Sequence, residues 1–482
     1  PVLAIQWIHL TNGRYEVVRK AQMASLSVSF FIIFFRVLYG FIRSLLLSFQ
    51  LFFLQFYCRA VLKKLCDKEF DALSKTWGYP QSSLKRGEDF YLGDMAWRLK
   101  EKKISLLTLC GNAKEKHWRP FLDSHKSDSF PFQLPELCLV KVRDIFVVWF
   151  QQCLAGFSLF FGALGEKKKE LRPFLLFAGM ESLRHLTLRN ALFYFIGKNA
   201  CTFWKPKFFV SLYEGHAWEK CLWKGIRKGL PSCRIVAYQH TVVFQRTLAL
   251  RNPAYNSALT GPDVVLCTGP ETAKIIRKGH ESNGSTLIPF GSFRFKDSDA
   301  DLREPSPERK TVLVLPEGLM GESQILFHAA IRLAKRLKDY RFIFRTHPIL
   351  PFDKVRLHLE EDVTLWNNIE ISKEKDIAKD FERSSVLLYR GSSSVLYGVL
   401  KGLKPFYFGQ EGEETIDPLF ELSEFRECVL STDDLAEKLT QYQKIQRDAV
   451  LPSWQKAAKY VQEYTMPVRT DSVRELLEAV NR

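Results

Sequence analysis

Residues 206–241 read PKFFVSLYEGHAWEKCLWKGIRKGLPSCRIVAYQHT, and this stretch decides the fold class. Short apolar runs at Lys207–Leu212 and Arg234–Tyr238 predict two strands, and the amphipathic residues 216–228 between them predict a helix. The Gly-Leu-Pro sequence that follows the helix is a stop signal. The three elements form a βαβ unit, which implies parallel strands and an α/β protein.

The same alternation of short apolar runs and amphipathic stretches begins near residue 170 and resumes after Lys296–Lys310, a polar segment with prolines that predicts a linker. Beyond the linker, strands are predicted at 311–315, 341–345, 385–389 and 404–408, and helices at about 323–337, 374–382 and 393–401. Two such halves without an internal repeat predict two Rossmann-like domains that face each other across a cleft. A ligand is expected at the carboxyl ends of their strands.

The N-terminal third of the chain is hydrophobic. Residues 26–65 are rich in Phe and Leu, but Arg36 and Arg43 lie seven apart, on one face of a helix. This spacing predicts a helix in the plane of a membrane surface, not a clean span. Basic residues that suit anionic head groups follow at its end: Arg59, Lys63 and Lys64.

A second apolar stretch, Ile145–Gly165, carries no charge and is long enough to cross a membrane. Three interpretations stay open for it: a helix paired with the first segment, a core helix without membrane contact, or a true span. The predicted organisation is a hydrophobic, mainly helical, membrane-associated region at 1–170, α/β halves at 171–300 and 301–450, and closing helices at 451–482.

Composition narrows the class of function. The chain has 482 residues, 46% of them hydrophobic, and 70 Lys and Arg against 53 Asp and Glu give a net charge of +17. Because the basic residues form no long run, phosphorylated substrates and an anionic membrane are favoured over nucleic acid. The ten cysteines include no CxxC pair, and the histidines do not show the spacing of zinc ligands. This pattern predicts reduced thiols in a cytoplasmic protein and no metal site. The chain starts with Pro and shows no signal-peptide pattern.

The sequence RGSSS, Arg390–Ser394, follows a predicted strand and opens a predicted helix. Gly391 permits close approach of the backbone, and Ser392, Ser393 and Ser394 offer hydroxyl and N–H groups to a phosphate. A simple helix cap is the alternative. Neither the Walker lysine pattern nor GxGxxG is present, which disfavours an ATPase or a dehydrogenase.

The sequence RTHP, Arg345–Pro348, follows another predicted strand. His347 could donate a hydrogen bond to a donor phosphate or offset the charge of a leaving group, and Arg345 is placed on the same donor side. A surface histidine is the alternative.

Two acid–glycine pairs also follow predicted strands. Glu214, beside Gly215, is a candidate general base for a sugar hydroxyl, while Glu317 and Gly318 are expected to shape the nucleotide site. Helix-capping carboxylates are the alternative for both pairs.

A short polar run follows the strand Arg234–Tyr238. His240 is a second candidate base or acceptor-side residue, and Gln239 and Thr241 could bind acceptor hydroxyl groups.

With these motifs in view, the chain resembles bacterial surface-carbohydrate biosynthesis proteins related to GT-B glycosyltransferases. The blocks that carry the resemblance are LYEGHAWEKCLWKGIRKG, IVAYQHT, PEGLMGES, FIFRTHP, YRGSSSVLYGVLKGLKPFYF and ETIDPLF, within residues 205–420. The HP and serine motifs are also similar to those of sialyltransferases, polysialyltransferases, capsule Kdo transferases and CDP-glycerol glycerophosphotransferases.

The resemblance implies a GT-B-like enzyme with Glu214 as base, His347 as phosphate contact and Ser392–Ser394 as phosphate cradle. YEG has one acid where those enzymes often show two, which leaves the base provisional. The acceptor half would be 171–300 and the donor half 301–450. No DxD-like acidic pair stands out, so transfer without a metal or other cofactor is expected.

The favoured reaction moves a CMP-linked acidic sugar, such as Kdo or sialic acid, to a surface polysaccharide, glycan or lipid-linked acceptor. The enzyme would lie peripherally on the inner face of the cytoplasmic membrane, with a span at 145–165 left open. Transfer of an alditol phosphate from a CDP-alditol, and a scaffold without catalysis, are the alternatives.

Overall fold

The computed structural model describes residues 26–78, 89–112, 118–124, 126–169, 171–252, 257, 259–281, 284–296, 299, 301–413 and 415–481. The first 25 residues of the predicted N-terminal region lie outside these ranges.

The first sheet has seven parallel strands in the order β3-β2-β1-β4-β5-β6-β7. Its strands are β1 Ala72–Gly78, β2 Leu106–Asn112, β3 Phe132–Pro135, β4 Phe208–Leu212, β5 Arg234–Tyr238, β6 Val264–Cys267 and β7 Thr286–Pro289. Three of them come from 72–135, so the predicted boundary at residue 171 is too late and the region 1–170 is not only helical. The central β1, ALSKTWG, is buried along nearly its whole length although it contains a lysine.

The second sheet has six parallel strands in the order β10-β9-β8-β11-β12-β13. Its strands are β8 Thr311–Pro316, β9 Arg341–Phe344, β10 Ile369–Ile371, β11 Val386–Arg390, β12 Lys404–Phe408 and β13 Glu427–Val429. Both sheets are parallel, and their central strands are buried on both faces, which requires helices to cover both sides of each sheet. The predicted fold class, two Rossmann-like domains in a GT-B-like arrangement, is confirmed.

The α-helices of the described ranges precede, connect and follow the strands. They are α1 Leu26–Cys66, α2 Met95–Glu101, α3 Trp118–Ser124, α4 Val142–Gly165, α5 Arg172–Ser182, α6 His185–Trp204, α7 Ala217–Gly229, α8 Leu248–Arg251, α9 Pro270–Arg277, α10 Met320–Arg336, α11 Phe352–Arg356, α12 Ile377–Arg383, α13 Val395–Leu400, α14 Thr432–Lys444, α15 Arg447–Tyr464 and α16 Thr470–Asn481.

Helices α1, α4 and α5 pack on one another. The Trp149 ring of α4 lies 5.3 Å from the Phe41 ring of α1, as expected for one of the three interpretations of Ile145–Gly165, a helix paired with the first apolar segment. Arg36 donates a hydrogen bond to the carbonyl of Met180 and lies 3.3 Å from Glu181, so this charged residue of the apolar segment binds α5. Phe30–Cys66 and Val142–Gly165 are long and apolar enough, by length and composition, to cross a membrane.

The carboxyl edges of the two sheets meet. The segment after β7 reaches the second domain, where the Phe295 ring lies 5.3 Å from the Tyr397 ring and the Tyr397 hydroxyl donates to the carbonyl of Arg294. Helix α15 links the domains a second time: Trp454 Nε1 donates to the Val399 carbonyl, and Val243 N donates to the Tyr464 hydroxyl.

Candidate active site

A carboxylate between two histidines lies at the carboxyl edge of the first sheet. Glu214 follows β4, and its Oε2 atom is 2.9 Å from Nε2 of His216. His240 follows the neighbouring β5, and its Nε2 atom is 2.9 Å from Oε1 of Glu214. Because β4 and β5 are adjacent and parallel, their loops bring the three side chains together. The prediction singled out Glu214 and His240 but missed His216, although EGH places it two residues from the acid.

The backbone around Glu214 is held by a buried acid. Glu219, in the first turn of α7, accepts hydrogen bonds from the amides of Glu214 and Gly215 at 2.9 Å and of His216 at 3.0 Å. Gly215 has φ of 88°, and a Cβ atom there would lie 2.4 Å from the Cβ of Ala249. The turn therefore requires glycine and fixes the direction of the Glu214 side chain.

The two histidines decide the charge of Glu214. Burial would raise the pKa of the Glu214 carboxyl, but the hydrogen bond with His216 and the close imidazole of His240, together with the charge of both rings, lower it overall. Burial would lower the pKa of His216, but the hydrogen bond to Glu214 and the charges of Glu219 and Glu214 raise it. Glu214 is therefore ionised at neutral pH, and His216 is the more basic member of the pair.

His240 is enclosed by aromatic and acidic neighbours. Its side chain is 1% exposed, and the Tyr91 ring packs edge-on at 4.8 Å. Asp89, two residues before Tyr91, accepts hydrogen bonds from the amide of Tyr91 and the hydroxyl of Thr76. Burial raises the pKa of Asp89. This acid was not predicted, because the segment that brings it to the site comes from outside the predicted α/β half.

A buried cation lies in the same domain, within β1. Lys75 is wholly buried, and its Nζ atom lies 3.0 Å from the centre of the Trp77 ring, 4.2 Å from that of Trp218 and 3.8 Å from Glu136 Oε2. Burial lowers the pKa of Lys75 to about 8 and raises the pKa of Glu136 to about 7. The rings of this cage supply the attraction that an ammonium group loses on leaving water.

His347 lies at the carboxyl edge of the second sheet, just after β9. Its ring is exposed, and its Nδ1 atom accepts a hydrogen bond from the amide of Ile349 at 3.3 Å. The neutral ring therefore carries its proton on Nε2, which makes that atom a donor. The neighbouring protein atoms partly desolvate the ring, which lowers the pKa of His347, and the charge of Arg294 lowers it further.

The predicted acid–glycine pair, Glu317 and Gly318, borders this histidine, and the serine loop, Arg390–Ser394, borders the pair. A Cβ atom on Gly318 would lie 3.0 Å from His347 Nδ1, and one on Gly391, whose φ is 64°, would lie 2.4 Å from Glu317 Oε2. The serine loop thus packs on the Glu317 side chain. Within this loop Ser392 is buried, Ser394 is half-buried and Ser393 is exposed.

Two predicted donor contacts have other partners. Arg390 is wholly buried, with Nε 2.6 Å from Glu322 and Nη2 2.7 Å from Glu413. The prediction for Arg390 is wrong, because an enclosed guanidinium bound to two carboxylates cannot reach a ligand. Arg345 donates to Asp380 at 2.7 Å and to the carbonyl of Glu374 at 2.9 Å, so it holds the loop before α12.

On the acceptor side, Gln239 is also wholly buried. Its Oε1 atom accepts a hydrogen bond from the amide of Thr268, and its Nε2 atom donates to the carbonyl of Thr241. It therefore ties the loop after β5 to the end of β6, and the prediction of an acceptor contact is wrong. Thr241 is partly exposed.

Arg294 connects the two halves of the site and was not predicted. Its side chain is exposed and lies 5.1 Å from the Phe90 ring, and the Phe90 ring is 4.8 Å from that of Tyr91, which packs on His240. On its other side its charge acts on His347. The signal was the sequence GSFRF directly after the last strand of the first sheet. In the described ranges no three His, Cys, Asp or Glu side chains form a metal-binding group.

No family model matches the sequence, and no curated protein matches it. Solved structures match over most of the chain. A proposed UDP-N-acetylglucosamine 2-epimerase from Listeria monocytogenes is 10% identical with a TM-score of 0.49, covering 86% of this chain and 98% of its own. The calicheamicin glycosyltransferase CalG4 is 11% identical with a TM-score of 0.48, covering 86% and 99%. UDP-GlcNAc 2-epimerase from Neisseria meningitidis, bound to UDP-GlcNAc, is 10% identical with a TM-score of 0.46, covering 85% and 99%. Sequence identities and TM-scores this low do not support an assignment of activity or substrate to this chain.

Proposed function

We propose that this chain is a glycosyltransferase that moves a sugar from a nucleotide donor to a hydroxyl group of a glycan or lipid-linked acceptor. The observation that carries the proposal is the cluster of Glu214, His216 and His240 on one carboxyl edge, with His347 and the serine loop on the facing edge. Arg294 lies between the two sets of residues. A proton acceptor and a set of phosphate ligands on opposite sides of a cleft suit transfer between two substrates.

In this reaction His216 accepts the proton of the acceptor hydroxyl, and ionised Glu214 stabilises the imidazolium that forms. The pair refines the predicted role of Glu214 as base, because a carboxyl whose pKa is lowered is the weaker base of the two. If Glu214 instead accepts the proton directly, kcat should be independent of pH from about 6 upward.

On the donor side, the Nε2–H group of His347 donates to a phosphate oxygen, and the hydroxyl groups of Ser393 and Ser394 bind the same phosphate. The cation of Arg294 offsets the charge that develops on the leaving nucleotide. Positive and hydrogen-bonding groups of the protein would do this without a metal ion or other cofactor, as the sequence predicts.

The donor is tested by thermal shift with CMP, CDP, UDP and GDP, and then by turnover of their sugars. The resemblance in the motifs favours CMP linked to an acidic sugar, and a rise in melting temperature with CMP alone supports it. His347→Ala should abolish the shift, while the matched control His358→Ala, an exposed histidine of the same domain, should keep it. Hydrolysis of CDP-glycerol would instead support the alditol-phosphate reaction, and stabilisation by none of the nucleotides would overturn the proposal.

We further propose that the protein works at the inner face of the cytoplasmic membrane. Helix α1 buries one face, with Leu47, Leu51 and Leu54, and exposes the opposite one, with Phe49 66% and Phe53 66% exposed. A surface helix that is apolar on both faces needs an apolar medium on its outer side. Carbonate extraction of membranes tests the attachment: release supports a peripheral protein, and retention in the pellet supports a span at 145–165.

A further inference from the structure

A cavity of about 800 Å³ lies beside the C-terminal half of α1, outside the candidate active site. Its walls come from α1, from the segment Cys138–Lys141 that precedes α4, and from the end of α6. Trp204 and Cys66, which line it, precede strands β4 and β1, so the cavity lies toward the amino edge of the first sheet. The five residues of β4, at about 3.3 Å each, place roughly 17 Å between this edge and Glu214.

The cavity has aromatic walls that face solvent. Phe52, Phe56 and Phe203 line it and are 65%, 72% and 51% exposed. Phe56 also borders a second cavity of about 410 Å³ on the other side of α1, which is lined mainly by apolar side chains such as Leu47 and Leu122, with Gln50 and Arg119 beside them. Large exposed rings around two neighbouring cavities are the surface that an acyl chain would cover.

Two cations stand at the same cavity. Arg59 and Lys141 line it and are exposed, and within the described ranges neither side chain has an ion-pair partner. Lys63, one turn beyond Arg59 on α1, is exposed as well. The amides of Gln55 and Asn199 are already used, since they donate to the carbonyls of Val140 and Leu139. The free polar chemistry of this cavity is therefore cationic.

We propose that this cavity binds one anionic phospholipid of the bilayer, with its phosphate between Arg59 and Lys141 and its acyl chains against Phe52, Phe56 and Phe203. Apolar walls and unpaired cations together match a phosphate group attached to a hydrocarbon chain. The inference extends the membrane attachment proposed above, and it assigns that attachment a specific lipid site. Its test uses no nucleotide sugar, so failure of the transferase proposal leaves it standing.

The experiment is calorimetric titration of the full chain with dihexanoyl phosphatidylglycerol, below the concentration at which it forms micelles. Dihexanoyl phosphatidylcholine and glycerol 3-phosphate are titrated in parallel. The anionic lipid should bind with one-to-one stoichiometry, the phosphatidylcholine more weakly, and glycerol 3-phosphate not measurably, because it lacks the chains.

The variant Arg59→Gln/Lys141→Gln should bind the anionic lipid about thirtyfold more weakly, since each basic residue near an anionic surface contributes about fivefold. Thr202→Trp, which places a ring in the cavity and keeps both cations, should weaken binding of both lipids. The control Lys278→Gln/Lys354→Gln removes two exposed cations elsewhere and should bind as the wild type does.

Equal binding of the two lipids, with no effect of the charge variant, would overturn the head-group site. Tight binding of glycerol 3-phosphate would show a site for free phosphate. A lipid-free dimer in light scattering that Thr202→Trp disrupts would show that a second copy of the chain covers this surface. Absence of saturable binding by any lipid would remove the proposal while leaving the carbonate-extraction result to decide membrane attachment.

Discussion

At the scale of the residue, the proposal turns on which group in the Glu214–His216 pair takes the proton. A histidine accepts a proton only when it is neutral, and the pKa of His216 is raised above its usual 6.5. The rate kcat should therefore rise with pH through that raised pKa and level off above it. A rate that is independent of pH from about 6 upward would assign the proton to Glu214, whose carboxylate is ionised throughout that range.

The substitution Glu214→Gln separates the two contributions. It removes the negative charge that raises the pKa of His216, so the rise in kcat should move to lower pH. The plateau should also fall, by about 10²-fold, because the imidazolium loses its counter-charge. The measurement is the pH profile of kcat, with Glu271→Gln, an acid at the start of α9, as control. An unmoved rise would contradict the pairing.

Arg390 should matter for folding and not for donor binding. Arg390→Leu leaves Glu322 and Glu413 without their cation, and removal of one partner from a buried ion pair costs about 3–5 kcal/mol of stability. Chemical denaturation measures the loss, and Glu413→Gln in the same chain should recover part of it. The exposed pair of Arg474 and Asp471 serves as control, because Arg474→Leu should cost under about 1 kcal/mol. Unchanged stability in Arg390→Leu would contradict this role.

His280 makes stability depend on pH. Its ring packs against Tyr213, and burial together with the charge of Lys220 lowers its pKa to about 4. Between pH 6.5 and 4 the His280 ring is protonated in the unfolded chain but neutral in the folded chain. The free energy of unfolding therefore falls as pH falls through this window. The loss is up to about 3 kcal/mol. Denaturation midpoints across the window should slope less in His280→Asn than in the wild type, and equal slopes would refute the assignment.

At the scale of the element, the turn after β4 gives a sharp test of how the site is held. Gly215→Ala forces alanine into a positive φ and places its Cβ atom 2.4 Å from the Cβ atom of Ala249. Gly284→Ala also forces alanine into a positive φ, of 68°, but its Cβ atom would have no neighbour within 4 Å. The second substitution should cost about 1 kcal/mol and the first clearly more. Thermal melting compares them. Equal losses would mean that the Ala249 contact relaxes freely.

The elements differ in how far the sequence determines them. Four strands of the second sheet, β8, β9, β11 and β12, were predicted to within about a residue, because an apolar run ends at a polar loop in each, while the short β10 and β13 were not predicted. The strand β1 was missed, because Lys75 interrupts its apolar run and only the cage of Trp77, Trp218 and Glu136 makes that lysine compatible with the interior. Partners that come from distant segments cannot be derived from local pattern.

The site shows the same limit. Glu214, His240, His347 and the serine loop could be predicted because each follows a strand, and parallel strands end at one edge. The burial of Arg390 could not be predicted, because the motif RGSSS is the same whether its arginine binds a phosphate or pairs with the carboxylates of Glu322 and Glu413. Burial and ion pairing depend on α10 and on the loop after β12, which no local motif encodes.

At the scale of the whole molecule, α15 makes the two domains depend on each other. Its Trp454 donates to the Val399 carbonyl in the second domain, while Thr268 of the first domain donates to the carbonyl of Tyr464 at its end. Trp454→Ala should cost about 3–5 kcal/mol. Hydrogen exchange should then rise in both β6 and α13. A rise confined to α13 would show that the domains unfold independently.

The chain passes between the domains twice, once through 296–310 and once through the end of α15, where Ser292 pairs with Pro467. Two crossings constrain the relative movement of the domains, and we expect the cleft to open and close mainly by rotation about the line that joins them. Donor and acceptor would then approach each other along one path. Substitutions at either crossing could change the direction of that path as well as the distance by which the cleft closes.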